Sequence, residues 1–256
     1  KTLLINEGLP LGGTCVNVGC IPSKNLLRAG EVLYYSQHHN FGGIRLRVEE
    51  FDFGKTIQEE LDLVTTLRKD KYENVLKSLT NVTFIEGKAS FTSPSEIEVN
   101  GPHFAEASRG KQKYQGEKFI IATGSTANVP AIEGIKKVSY LTHIEALANK
   151  KQPKSIVVIG AGPLGLEFAQ MFHHFGTKVT VLQRGESILP RVEPEIVSAL
   201  QKYLTEEGIT IYTEVEALSV RKENDEKVIK TKVKGIEQEF RAEEILLAAG
   251  KIPNTK

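Results

Sequence analysis

The sequence predicts an α/β fold, and three observations carry that prediction. A strand of buried type, SIVVIG, runs into the turn GAGPLG, a helix LEFAQMFHHFG and a second strand KVTVLQ, the pattern of a βαβ unit. Apolar residues at Ile57, Leu61, Val64, Leu67, Tyr72, Val75 and Leu79 keep a helical period over residues 55–79, after which NVTFIEG, KASFTS and SEIEVN read as three short strands joined by turns. Residues 12–24, GGTCVNVGCIPSK, hold both cysteines of the chain between an opening strand and a helix.

Composition narrows the class before any motif is read. The 256 residues allow one large or two ordinary domains, and 40% hydrophobic with 25% charged residues is the balance of a soluble globular protein. A net charge of +1 offers no basic patch for nucleic acid and no acidic tail. The longest apolar runs are far shorter than a membrane span, and no signal peptide opens the chain, so neither membrane nor nucleic acid is expected as a partner. Two closely spaced cysteines without a wider framework suit a reducing cytoplasm, where a disulfide serves chemistry more often than structure. The chain opens directly in a strand, KTLLI, and closes just after another strand and a turn, which predicts a piece of a larger design.

The elements follow in order. The opening strand ends at Asn6 and Glu7, the place where a dinucleotide fold carries a group for an adenosine ribose hydroxyl. On one regular helix Cys15 and Cys20 would sit about 8 to 9 Å apart between Cα atoms. A disulfide needs roughly 4.4 to 6.8 Å. A bridge therefore requires a bend between them, and Gly19 permits it. Pro22 suits the first turn of a helix running to about residue 38, so Cys20 is placed at a helix N-terminus, where free N–H groups and the helix dipole stabilise a thiolate. Two inert thiols are the alternative. Zinc is disfavoured because two cysteines are half of a tetrahedral site and none of the six histidines stands at ligand spacing. The charges Arg68, Lys69, Asp70 and Lys71 read as a solvated helix face.

A further strand, EKFIIAT, is expected to end in a tight turn at Ala122, Thr123 and Gly124, suited to close approach of a cofactor. The polar KKQPK stretch marks a boundary that divides the chain into residues 1–150 and 151–256. Beyond it Gly160, Gly162 and Gly165 form GxGxxG between strand and helix: one glycine for the turn, one to admit a pyrophosphate, one for close packing. At the end of the second strand stand Gln183 and Arg184 instead of an acid. Arg184 is suited to a 2′-phosphate, which favours NADPH over NADH, the alternative being an exposed arginine with the ribose read by another group. A helix over residues 193–203 follows, and ITIYTE, VIKTKV and EEILLAAG are expected to extend the sheet.

GGTCVNVGCIPSK, ATG, GAGPLGLE and AAGKIPNT, in this order, resemble the flavin-dependent pyridine nucleotide-disulfide oxidoreductases over the whole chain, and most of all their mercury-reducing branch. Lipoamide-type dehydrogenases share CIPSK but carry an acid near Gln183. The resemblance implies two Rossmann-like dinucleotide-binding domains, both shortened relative to the full family fold: residues 1–150 for FAD and the redox disulfide, with the first βα unit missing, and residues 151–256 for NAD(P), with the C-terminal dimerisation domain absent. It implies that Cys20 faces the flavin and Cys15 exchanges with substrate, and that Lys24 lies near the flavin and pairs with Glu167 as a buried ion pair. Asn6, Glu7, Gly12, Gly13, Thr14, Ala122, Thr123, Gly124 and Gly250 fall at cofactor-binding positions. Lys251 replaces the usual arginine of the last motif. The implied activity passes hydride from NADPH through FAD to the Cys15/Cys20 disulfide. The implied substrate is Hg(II), held transiently by the two thiols, with a dithiol or disulfide substrate, or a nucleotide-binding module without turnover, as alternatives. The full-length protein is expected to be a cytoplasmic homodimer.

Overall fold

The computed structural model describes residues 1–101 and 111–255; residues 102–110 and Lys256, which fall inside the two predicted domain ranges, lie outside the described residues. The chain groups into two compact units, one of Lys1–Ile21 with Asp62–Gly124 and the other of Pro22–Leu61 with Ser125–Lys256.

In the first unit, β1 (Thr2–Asn6) pairs in parallel with β2 (Val82–Glu86), from Thr2 opposite Val82 to Asn6 opposite Glu86. The turn after β1 leads into α1 (Gly13–Val18), which stops at Gly19, and α2 (Cys20–Tyr35) begins on the next residue. β3 (Lys88–Ser93), β4 (Glu96–Asn100) and β5 (Lys111–Gln115) form an antiparallel sheet in that order, with Ile97 and Val99 of β4 buried. The three strands expected after residue 80 are therefore present. The strand expected at EKFIIAT is not: residues 117–123 join no ladder among the described residues, and Ile120 and Ile121 are 95% and 68% exposed. An apolar, β-branched run becomes a strand only where a neighbour takes its backbone hydrogen bonds, and that neighbour is a tertiary matter.

The helical period over residues 55–79 is realised as one continuous run with a defect inside it. α3 (Phe53–Arg68) passes into a π-helical turn at Lys69–Glu73 and then α4 (Asn74–Ser78). Asp52 opens the run by accepting from Lys55 N at 2.9 Å.

α5 (His143–Ala148) belongs to the second unit and is opened by a capping box between Thr142 and Glu145. A four-stranded parallel sheet is ordered β13 (Glu244–Leu247), β7 (Ser155–Ile159), β8 (Lys178–Leu182), β9 (Thr210–Tyr212). Helices α6 (Pro163–His174) and α7 (Pro194–Glu207) make the crossovers, α7 ending at Gly208 with φ +112°. Ile156, Val157, Val158, Val179, Val181, Ile245 and Leu246 are each at most 1% exposed, which is why these strands read as unbroken apolar runs. VIKTKV does not extend this sheet. It forms β11 (Glu226–Val233) in a separate antiparallel sheet with β10 (Val215–Glu223) and β12 (Ile236–Ala242). Two-residue turns at Asn224–Asp225 and Lys234–Gly235 decide this, because a parallel connection needs a long crossover; positive φ at Asn224, Lys234 and Gly235 fits hairpin turns. Val157, Ile159 and Leu247 pack with Val220, Ile229 and Phe240 in one core between the two sheets. A last short pair joins β6 (Ser125–Ala127) to β14 (Lys251–Pro253). No described helix is long and apolar enough to cross a membrane.

Candidate functional site

The cysteine segment is shaped by three glycines. Gly12 and Gly13, at φ +94° and +62°, turn the chain into α1, and a Cβ on Gly12 would overlap Val16 and press on the ring of Tyr72. Gly19 separates α1 from α2, where a Cβ would stand 2.8 Å from the Thr14 carbonyl oxygen. The bend between the cysteines is thus a break between two helices, and Cys20 is the first residue of the second. Both cysteines are in the thiol form and exposed. A hydrogen bond to Cys20 holds the Cys15 thiol above its ordinary pKa, and desolvation adds to the shift.

Asn17, between the two cysteines, organises this turn and was not singled out by motif reading. Its Nδ2 donates to the carbonyls of Pro10, Leu11 and Gly13 at 3.1, 3.0 and 2.8 Å, and its Oδ1 accepts from Arg68 Nη1 at 3.1 Å. Arg68 Nε in turn lies 3.4 Å from Glu73 Oε1. Lys69, Asp70 and Lys71 are exposed, as a solvated face requires, but Arg68 is not part of that face, because its half-buried guanidinium ties the start of the π-helical turn to the cysteine helix. A four-residue charge run carries no sign of which member points inward.

Of the residues expected to meet the adenosine ribose, Asn6 is engaged locally, its Nδ2 donating to Leu9 O at 2.8 Å, while Glu7 is exposed before a turn at Gly8 with φ +91°. Ala122, Thr123 and Gly124 are exposed, and Gly124, at φ +70°, makes the expected turn with open space where a Cβ would stand.

At the second glycine turn the three positions differ. A Cβ on Gly160, at φ +112°, would overlap the Ala248 carbonyl oxygen, and one on Gly165 would overlap the Gly160 carbonyl oxygen. Gly162 meets nothing within 4 Å. It is the N-cap of α6, no side chain caps that helix, and Pro163 occupies its first turn. Close packing at the outer glycines and open space at an uncapped helix N-terminus fit a dinucleotide pyrophosphate. The side chain of Gln183 is committed inside the loop, Oε1 accepting from Ala161 N and Nε2 donating to Ser187 O, both at 3.1 Å. Arg184 next to it is exposed.

Lys24 and Glu167 meet: Lys24 Nζ lies 2.7 Å from both carboxylate oxygens. The two side chains are 56% and 38% exposed, which corrects the expectation of a buried pair; an ion pair open to water adds little stability. Gly250, at φ +95°, sits in a loop fixed by Asn128, whose N donates to Gly250 O at 2.9 Å and whose Nδ2 donates to Ala249 O at 3.1 Å.

With this geometry in hand, the family model for pyridine nucleotide-disulphide oxidoreductase matches residues 1–256. The chain belongs to that family. It is 37% identical over 255 residues to a mercuric reductase of Lysinibacillus sphaericus, covering 100% of this chain and 44% of that protein. A mercuric reductase of Bacillus cereus is 36% identical over 253 residues, with 99% and 38% covered. The chain thus spans less than half the length of these relatives. Among solved structures, the Escherichia coli HOCl-induced flavoprotein disulfide reductase RclA matches in its Cu(II) complex with a TM-score of 0.84 at 27% identity, over 99% of this chain and 52% of that one. The α/β fold around these residues is thus that of the pyridine nucleotide-disulfide oxidoreductases.

Proposed function

We propose that this chain is the cofactor-binding and dithiol-bearing part of an NADPH-dependent flavoprotein disulfide reductase that reduces Hg(II). One observation carries the reading: Cys15 and Cys20 lie on successive helices broken at Gly19, with Cys20 opening the second, in a chain of this family. In this reading residues 1–150 bind FAD and residues 151–256 bind the nicotinamide nucleotide. Bound FAD supplies two-electron transfer between a nicotinamide and a disulfide. Glu7, Gly12, Gly13, Thr14 and the Ala122–Thr123–Gly124 turn are the flavin-nucleotide residues, with Gly13 and Gly124 leaving open space. Gly160 and Gly165 keep backbone packed on backbone, Gly162 and the α6 N-terminus receive the pyrophosphate, and Arg184 takes the 2′-phosphate. Lys24, charge-balanced by Glu167, would stand near a bound flavin.

The thiols do the substrate chemistry. NADPH, a proton and the disulfide give NADP⁺ and two thiols. Cys15, with its raised pKa, keeps its proton at neutral pH until it meets a soft metal ion, for which thiolates are the preferred ligands. The mercuric reductase relatives support Hg(II) as that ion. The full-length protein is proposed to be a cytoplasmic homodimer. The deciding experiment is a visible spectrum with a thiol count on the full-length protein: a yellow protein that gains two titratable thiols on NADPH addition, and none in Cys15→Ser, is expected. A colourless protein that binds NADPH without new thiols would overturn the reading in favour of a nucleotide-binding module.

A further inference from the structure

Glu60 lies on α3 with 1% of its surface exposed, and nothing in the proposed chemistry uses it. Its Oε2 accepts a hydrogen bond from Asn25 Nδ2, while Oε1 is buried without a partner. Asn25 directly follows Lys24 on α2, so one helical turn carries both the donor to Glu60 and the cation of the Lys24–Glu167 pair. A buried carboxylate with a single donor is strongly disfavoured against the neutral acid. Burial accordingly pushes the Glu60 carboxyl up to about 7, with the Asn25 hydrogen bond pulling the other way.

Charged groups on the surrounding elements do not relieve this. On α2, Lys24 is paired with Glu167 of α6 and Arg28 with Glu31; after α5, Lys150 donates to Gln58 of α3 itself. Burial and Asn25 are the two influences on the Glu60 carboxyl, and none of these charges is a third.

We propose that Glu60 is a proton-linked positioning residue for α2: neutral, it stays sealed against the turn that carries Asn25 and Lys24; ionised, it draws water to its unpartnered oxygen and loosens that turn, against the stronger hydrogen bond a carboxylate accepts from Asn25. The inference deepens the proposed redox site and rests on that reading only for its consequence, a pH-dependent placement of Lys24. Glu60 sits in the middle of α3, and Ile57, one turn before it, and Leu26, next to Asn25 on α2, are both fully buried, so the position is one that favours the neutral acid.

The test needs neither flavin nor substrate. Carbon NMR of the glutamate carboxyls in the intact chain should show one group, absent in Glu60→Gln, titrating near neutrality. Amide hydrogen exchange of residues 24–28, corrected for the intrinsic rate, should be several-fold faster at pH 8.5 than at pH 5.5 in the parent chain and independent of pH in Glu60→Gln. A Glu60 midpoint below pH 5.5, or equal pH dependence in both proteins, overturns the proposal. Should Glu60→Gln fail to fold, Asn25→Ala decides: loss of the donor must raise the Glu60 midpoint, and an unchanged midpoint overturns it. A protein without flavin or thiol chemistry that shows this exchange pattern retains the latch and loses the proposed function. A redox-active protein whose α2 exchange ignores Glu60 does the reverse.

Discussion

At residues 160–165 the outer glycines meet backbone, whereas at residues 12–13 one glycine meets side chains and the next meets nothing. The first turn to be considered, between β7 and α6, rests on strands that are buried on both faces, and its glycines exist so that carbonyls can pack against α6 and the residues after β13. The cysteine turn, between β1 and α1, rests on a two-stranded sheet with exposed residues at Thr2 and Leu4, and is held instead by the amide of Asn17. Tight backbone packing makes one turn intolerant of added volume. Hydrogen bonding makes the other intolerant of lost polarity.

This contrast can be broken at single residues. Gly165→Ala should have the largest effect, because the new Cβ meets a carbonyl that has no room to move; a loss of about 3 kcal/mol is expected in urea denaturation, while Gly162→Ala, facing open space, should stay within about 0.5 kcal/mol and show its effect in weakened NADPH binding by calorimetry. Equal stability losses at the two positions would show that packing does not distinguish them. Asn17→Ala comes next. It leaves three carbonyls and Arg68 without their partner, for a loss of about 2 kcal/mol, and the altered seat of α1 should change the rate at which Cys15 reacts with an iodoacetamide probe. An unchanged Cys15 rate would separate the turn from the thiol. The smallest change in the fold is expected from Arg184→Ala, an exposed side chain whose loss should leave the melting temperature unchanged and weaken NADPH by about tenfold with NADH unaffected. Equal weakening of both nucleotides would remove Arg184 from 2′-phosphate recognition.

Much of the second unit was readable because its signals are local and mutually consistent. SIVVI and KVTVL carry the buried-strand pattern, GAGPLG sits between strand and helix, and the helix that follows has its apolar side in register. VIKTKV shows where this stops. Its alternation is that of any strand, and only the two-residue turns at its ends place it in the antiparallel sheet. The start of the second cysteine helix was also readable, since Gly19 permits the bend and Pro22 marks the new start, whereas the short α1 before it was not. Arg68 was misjudged and Asn17 passed over for one reason: each is a polar residue whose partner lies elsewhere in the fold, and a polar residue in sequence looks the same whether it faces water or a carbonyl.

The sequence by itself determined the βαβ turn and the helix start that places Cys20 at its N-terminus, because glycine, proline and apolar period act over a few residues; the pairing of Lys24 with Glu167 came from the family resemblance alone. Tertiary structure alone decided that FIIATG finds no ladder among the described residues, that the Lys24–Glu167 pair is open to solvent, and that Glu60 is sealed beneath α2. Burial and hydrogen-bond partners are properties of residues brought together from distant parts of the chain, and those set the ionisation of Glu60 and the partners of Arg68.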